Sequence, residues 1–328
     1  MFAKLFKIKV NEFAIGFGPA ILKFQKGETK YALRILPFGG YCAMEGENDE
    51  SDDERAFSKA KPYKRIIVVA AGAIFNIILG FILMVATVTI SGSIQSQNLL
   101  ATTKVASFTQ KATTNKNGGL QKGDTIKKIN GRYIFSVEEV SYMLGTAETN
   151  KVDLVVKRNG KNVELTDVEF PSQEYEGKKY LTIDFYFYGE ELSFTTAIKQ
   201  GFFRTLSMGR IVFMSLGDLI SGKFGLNEVS GPIGVTQVVS EAVSTTATNG
   251  LEGLSSLLKI LSLITVNLGV FNLLPIPALD GSRIWFLVIE WIRKKPVKNE
   301  ALVHTIGMII LLAFMVLIVF KDLWSWIF

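Results

Sequence analysis

The chain has 328 residues and a formal charge of +6, from 36 Lys and Arg against 30 Asp and Glu, with one Cys and one His. One histidine excludes a two-histidine metal site built from these residues alone, and the single Cys42 excludes an intrachain disulfide and any Cys-rich zinc module. At 48% hydrophobic and 20% charged it is too apolar for an ordinary soluble protein; the modest positive charge reads as loops on the inner side of a membrane, not as a nucleic-acid footprint.

Residues 1–65 read as a membrane-associated β-region on the cytoplasmic side, ending in an acidic loop. Phe13, Ile15 and Phe17 alternate with small residues, and Lys30–Pro37 is a second strand. Phe38-Gly39-Gly40-Tyr41 is expected to turn. Glu45–Glu54 is acidic and polar and is expected to be mobile.

Residues 66–90 carry no ionisable side chain, and at about 1.5 Å per residue they cross a hydrocarbon core of about 30 Å. Asn76 is the only strongly polar group in this span. Gly72, between Ala71 and Ala73, leaves room for another helix to pack closely.

Residues 97–190 have the grammar of a small β-rich domain. Thr125–Ile129 is a strand and Asn130-Gly131 a tight turn. Ser136–Leu144 is a short helix with a serine cap and Glu138 and Glu139 in its first turn. Val152–Lys157 and Val163–Val168 flank the hairpin signal Asn159-Gly160, and Leu181–Phe187 is the closing strand.

Residues 192–254 read as amphipathic, juxtamembrane helices. Charges at Lys199, Arg204, Arg210 and Asp218 keep the first of them from spanning. Ser230-Gly231-Pro232-Ile233-Gly234 is a turn before a further helix.

Residues 255–280 form the second span. Ser262, Thr265, Asn267 and Asn272 make it too polar to face lipid all round, so it is expected to line a protein-enclosed cavity. Pro275 and Pro277 break its end, and Asp280 follows at once. Residues 281–300 read as a cytoplasmic-side helix and loop. Residues 301–321 are the third span, with His304 near its start and Lys321, Trp324 and Trp326 as interfacial anchors.

Two basic clusters orient these spans: Lys59, Lys61, Lys64 and Arg65 before the first, and Arg293, Lys294, Lys295 and Lys298 before the third. Both are expected on the cytoplasmic side, which puts the β-rich domain outside. No apolar stretch of a secretory leader's length follows Lys4, Lys7 and Lys9.

The chemistry concentrates at Asn272-Leu273-Leu274-Pro275-Ile276-Pro277-Ala278-Leu279-Asp280-Gly281. An ionised Asp at membrane depth costs several kcal/mol unless it is paired. A bound cation is one partner for it. The backbone N–H groups of a helix starting at Gly281 are another, with Asp280 as the cap. The residues by themselves leave both open.

That stretch resembles the second signature, N-x-x-P-x-P-x-L-D-G, of the site-2 protease family of intramembrane zinc metalloproteases. Pro37-Phe38-Gly39-Gly40-Tyr41 is similar to the family's P-x-G-G-Y, and Ala71-Gly72-Ala73-Ile74-Phe75-Asn76 to its A-G-P-x-x-N, with Ala73 in place of proline. Val10–Pro19 looks like the segment after the family's first transmembrane helix. Gly119-Leu120-Gln121-Lys122-Gly123-Asp124-Thr125-Ile126 with Ile129-Asn130-Gly131 resembles the bacterial PDZ pattern, and with Ser230–Gly234 it points to the regulator-of-sigma-E protease subgroup. The resemblance covers essentially the whole chain.

It implies a polytopic α-helical membrane protein with a membrane-associated β-region and an extracytoplasmic PDZ-like α+β domain, in a bacterial inner membrane. It implies Zn²⁺ as cofactor, with Asp280 as the third metal ligand. Asn272 would position substrate or a reaction oxyanion. The partners implied are a transmembrane protein substrate such as an anti-sigma factor or signal-peptide remnant, a peptide tail at the PDZ-like domain, and membrane lipid.

The sequence departs from the family at one decisive place. The family's other two ligands are the histidines of H-E-x-x-H, two on one helix face with the Glu that activates water between them. No such motif is present, and His304 stands alone on the last span. Ala3-Lys4 fits the A-K that follows the motif, so Met1 is expected to be an internal methionine of a longer protein, and the chain as written is expected to be inactive. The alternative is a non-enzymatic pseudoprotease or PDZ-bearing membrane scaffold. A transporter using Asp280 would need paired broken helices, and one is visible.

Overall fold

The computed structural model describes residues 2–47, 51–94, 98–175, 178–223, 231–295, 297 and 300–327. The chain divides into two compact units: Met1–Phe75 with Phe271–Met315, and Asn76–Val270 with Val316–Phe328.

The first unit starts with a short helix α1 (Phe2–Leu5) and two long strands, β1 (Val10–Lys26) and β2 (Thr29–Met44), paired antiparallel from Lys26–Thr29 to Val10–Met44. Gly27, at φ +64°, makes the tight reversal between them, in a region that a Cβ disfavours. Glu12–Ile15 face two stretches of β2, Lys30–Leu33 and Gly40–Ala43, so the hairpin folds over on itself. The expected turn at Phe38-Gly39-Gly40-Tyr41 is therefore corrected. These residues lie within β2, where Gly40 pairs with Ile15 and has no room for a Cβ against the Ala14 carbonyl.

The described part of the acidic loop is tied down. Lys9 reaches Asp53 at 2.9 Å and Glu45 at 3.5 Å, and Arg55 forks onto Glu28 at 2.7 and 3.0 Å. The Asp53 carboxylate holds the Lys9 ammonium above its ordinary value. Residues 48–50 of the expected loop lie outside the described residues.

The first part of α2 (Pro62–Ile94) packs Val68 and Val69 on Ile8, Val10 and Phe57. The same unit holds α7 (Asp280–Arg293) and the first part of α8 (Glu300–Ile327).

The second unit holds the β-domain. Its six-stranded sheet has the order β10 (Phe185–Glu191), β3 (Leu99–Phe108), β4 (Thr125–Ile129), β6 (Lys151–Arg158) and β7 (Lys161–Glu169), with β5 (Arg132–Tyr133) paired to β4. A separate ribbon joins β8 (Ser172–Tyr175) and β9 (Lys178–Leu181). Both expected tight turns form: Asn130 and Gly131 sit at φ +47° and +76°, Asn159 and Gly160 at +50° and +83°. Two successive positive φ values match the right-handed twist of the flanking strands.

Helix α3 (Val137–Gly145) starts where the serine cap predicts, with Ser136 Oγ accepting from the Glu139 N–H. It closes the core over Val105, Ile126, Ile129, Leu154 and Phe170. The expected strand over Leu181–Phe187 is displaced. Leu181 ends β9, and Asp184 leaves the ladder to accept from the Thr113 and Thr114 N–H groups and the Thr114 hydroxyl, so the last strand begins at Phe185.

Helices α4 (Phe194–Ile220) and α5 (Pro232–Asn249) and α6 (Leu251–Leu273) as far as Val270 also belong to this unit, with the rest of α2 and the end of α8. Met84 and Val88 of α2, Met208 and Val212 of α4, and Val266 and Val270 of α6 form one core. Each such side chain contributes about 1.5–3 kcal/mol when fully buried. The Ser262 hydroxyl donates to the Gly80 carbonyl at 2.7 Å, and a Cβ at Gly80 would run into Val266, so α2 and α6 pass backbone to backbone.

Of the charges that keep α4 from reading as a span, Lys199 pairs with Glu190 of β10 at 3.1 Å, and the other three are spent on α3. Arg204 pairs with Glu138 at 3.4 Å, Arg210 with Glu139 at 3.2 Å, and the Tyr142 hydroxyl donates to Asp218 at 2.8 Å. Burial pushes the Tyr142 hydroxyl up to about 12.

Among the described residues three helices are long and apolar enough to cross a membrane: Pro62–Ile94, Leu251–Leu273 and Glu300–Trp324. The second ends seven residues before the expected 280, because the chain leaves the helix at the prolines. Ser230 of the expected turn lies outside the described residues; Gly231 caps α5 and Pro232 is its first residue.

Candidate functional site

The break between α6 and α7 builds the candidate site. Pro275 and Pro277 have no N–H to continue the helical ladder, so α6 stops at Leu273. The segment then folds by local bonds, Leu274 N–H to Phe271 O at 3.0 Å and Leu279 N–H to Ile276 O at 3.1 Å. Ala278 sits at φ +82°, a left-handed value that costs a non-glycine residue about 1 kcal/mol or more. Gly307 of α8 lies against Pro277, and a Cβ there would meet the proline ring and its carbonyl. Gly281 likewise has no room for a Cβ against the Leu273 and Leu274 backbone. These two glycines let the irregular segment be enclosed.

Asp280 is the first residue of α7. The cap is Leu279, in extended conformation at φ −95°, with no side-chain cap bond. Ser282 returns to the Leu279 carbonyl through both its N–H, at 3.1 Å, and its hydroxyl, at 2.8 Å. Asp280 is therefore not the helix cap that its place in the sequence allowed. Its side chain is half-buried, and among the described residues no group donates a hydrogen bond to it. The helix dipole still favours its charge, by about 0.3–1 kcal/mol.

Asn272, half-buried in the last turn of α6, stands at the other end of the break. The structure thus puts Asn272 and Asp280 on the two flanks of one irregular segment. His304 is engaged elsewhere: its ring lies 5.9 Å from that of Phe286, and Nε2 is 3.4 Å from the Ser282 hydroxyl. Among the described residues no three His, Cys, Asp or Glu side chains gather as a metal site.

A cavity of about 430 Å³ lies along α7. Glu47, Arg65, Arg283, Glu300 and His304 line it, with Leu287 at its wall. Arg283 pairs with Glu47 at 2.6 Å, and Arg65 with Glu290 at 3.0 Å. Asp280 is not part of that lining. Arg283 is the cation nearest to it in sequence, one helical turn away. Neither ion pair carries a local sequence signal, since the partners are 236 and 225 residues apart.

Residues 1–314 match the profile of peptidase family M50. The chain belongs to peptidase family M50. The M50 match takes in both flanks of the break, Asn272 and Asp280 included. A protein of Clostridium perfringens whose name carries the words zinc metalloprotease is 37% identical over 324 residues, 98% of this chain and 91% of the relative. A Fusobacterium nucleatum protein with the same words in its name is 35% identical, over 98% of this chain and 92% of its own length. The regulator of sigma-W protease RasP of Bacillus subtilis is 27% identical over 399 residues, 96% of this M50 chain and 91% of RasP.

Proposed function

We propose that this chain is the body of an intramembrane zinc metalloendopeptidase of the site-2 protease type, in which Asp280 is a metal ligand. The observation that carries the reading is the Asp280 carboxylate: first in its helix, half-buried, free of any cap bond, and held at the end of a strained break. A carboxylate so placed needs a cation more than it needs a backbone partner. A bound zinc would supply an activated water and polarise a peptide carbonyl.

The residues present supply one oxygen donor of such a site and do not complete it. The two histidines that the family's H-E-x-x-H would supply are not among these 328 residues, whose one histidine is His304. Around that centre this chain's residues would do the positioning. Asn272, across the break, would hold a substrate backbone or its developing oxyanion through its amide. Gly307 and Gly281 would let the walls close on the irregular segment.

The β-domain would act as a PDZ-like module outside the membrane, taking an extended peptide tail on a sheet edge. The G-L-x-x-G-D run, helix α3 and the open edges at β10 and β7 support this. The basic clusters favour a cytoplasmic side for residues 1–65 and for the basic segment that begins at Arg293, in a bacterial inner membrane. The substrate class would be membrane-anchored proteins, anti-sigma factors and signal-peptide remnants among them.

One observation favours a second reading, a pseudoprotease scaffold: the described residues gather no complete metal site. Cleavage of a single-span reporter separates the two. The chain is joined behind an H-E-x-x-H helix and compared with its Asp280→Ala and Asn272→Ala variants. Cleavage that Asp280→Ala abolishes supports the protease; no cleavage with Asp280 intact, in a folded protein, supports the scaffold.

A further inference from the structure

We infer that α7 is a lipid-facing helix whose basic end binds the anionic headgroups of a membrane leaflet and so sets the depth of Asp280. The observation is an inversion of the usual amphipathic pattern. Arg283, Leu287 and Glu290 fall at i, i+4 and i+7 and form one stripe. Trp285, Ile289 and Ile292, offset by two residues, form another, about 200° away around the helix. The charged stripe faces inward, where Arg283 pairs with Glu47 and Glu290 with Arg65, and Leu287 is 2% exposed. The apolar stripe faces out, with Trp285 54% and Ile292 75% exposed.

A helix in water turns its apolar stripe to the core and its charges to the solvent. This one does the reverse, so the medium outside is apolar. Yet α7 has 14 residues, about 21 Å of helix, and is not one of the three span candidates.

Charge then fixes which end meets the headgroups. Lys294, at φ +53°, ends the helix, and Arg293, Lys294 and Lys295 are all exposed there. A helix lying flat in the interface carries cations along its whole length. Here the exposed outer face holds none before Arg293, so the helix dips from the headgroups inward. The three cations fit anionic phosphate groups, and Trp291, 57% exposed, sits at their level. Asp280, at the inner end, is then held below the interface by the length of α7.

This rests on the membrane-embedded reading of the chain, and the test separates the two. The full chain is reconstituted in bilayers as single-tryptophan forms. Trp285 is kept in W291F/W324F/W326F, and Trp291 and Trp324 are kept in the matching triples. Phosphatidylcholine brominated at shallow or deep acyl positions, and aqueous acrylamide, serve as quenchers. Trp285 is expected to respond to deep bromines and to be shielded from acrylamide, and Trp291 to respond to shallow bromines. Trp285 open to acrylamide and blind to both lipids, while Trp324 of α8 is quenched, overturns the inference alone. If Trp324 is blind to lipid as well, the membrane reading falls with it. For the headgroup contact, brominated phosphatidylglycerol is expected to quench Trp291 at least about twofold more than brominated phosphatidylcholine, an excess lost in R293Q/K294Q/K295Q. Equal quenching of Trp291 in the unmodified basic end by the two lipids overturns it.

Discussion

Removing the Arg158 side chain should open the β-domain at β4. Asp124 is fully buried, and its two carboxylate oxygens accept from Arg158 Nε at 2.8 Å and Nη2 at 2.7 Å. Its only other donor among the described residues is the Gln121 N–H, at 2.8 Å. Arg158→Ala strands that carboxylate away from water. Breaking a buried pair from one side costs about 3–5 kcal/mol. At 1.4 kcal/mol per decade, the protection of the β4 amides against hydrogen exchange should fall by about 150- to 4,000-fold. Exchange followed by mass spectrometry on the full chain in micelles reads this directly, with α2 peptides as the internal reference. The double variant Asp124→Asn/Arg158→Ala removes the stranded charge and should recover part of the loss. A fall of less than about fivefold in Arg158→Ala would mean the pair carries no such load.

Three further outcomes are expected. Glu139 is fully buried, and its carboxyl is raised by that burial, against the Phe135 N–H and Arg210, which favour the charged form. The native state then holds a proton more tightly than the unfolded chain, so stability falls as pH rises from the ordinary carboxyl value through the raised one. Glu139→Gln should flatten that slope in thermal melts; an unchanged slope would place the titration elsewhere. Ala278→Gly should be neutral to within about 1 kcal/mol in a thermal-shift assay, since it relieves the +82° φ but loosens the unfolded chain, whereas Ala278→Val should lose about 2 kcal/mol or more. Gly307→Ala forces α8 off Pro277 and should cost about 1–3 kcal/mol in the same assay, while Gly217→Ala, with open space around it, should cost less than about 0.5 kcal/mol.

What the sequence made legible is what local chemistry dictates. Asn130-Gly131 and Asn159-Gly160 turn because Asn and Gly tolerate positive φ, and α6 stops because proline has no N–H to give. The Asp of G-L-x-x-G-D was legible as a pattern, and the structure supplies its reason, the buried fork with Arg158. Other features carry no local mark. Phe38–Tyr41 looks like a turn, because two glycines favour one, yet Gly40 is needed beside the Ala14 carbonyl in a strand pair. Ala278 gives no hint of a left-handed conformation that glycine would have announced. Leu181–Phe187 alternates well enough to be a strand, but Asp184 is worth more to the Thr113–Thr114 turn than to the ladder. Asp280 itself was plain in the sequence. Only the structure separates it from a helix cap, because the cap geometry falls one residue earlier, at Leu279.

The central claim is that Asp280 holds a metal, and metal content tests it most directly. The chain joined behind an H-E-x-x-H helix is purified with and without Asp280→Ala, and zinc is counted per folded chain by mass spectrometry. Asp280→Asn serves as the variant that keeps the shape. About one zinc per chain is expected with Asp280 intact, and a loss of tenfold or more in retention against a chelator with either substitution. Equal zinc in all three proteins, each shown folded by the β4 exchange pattern, would contradict the assignment.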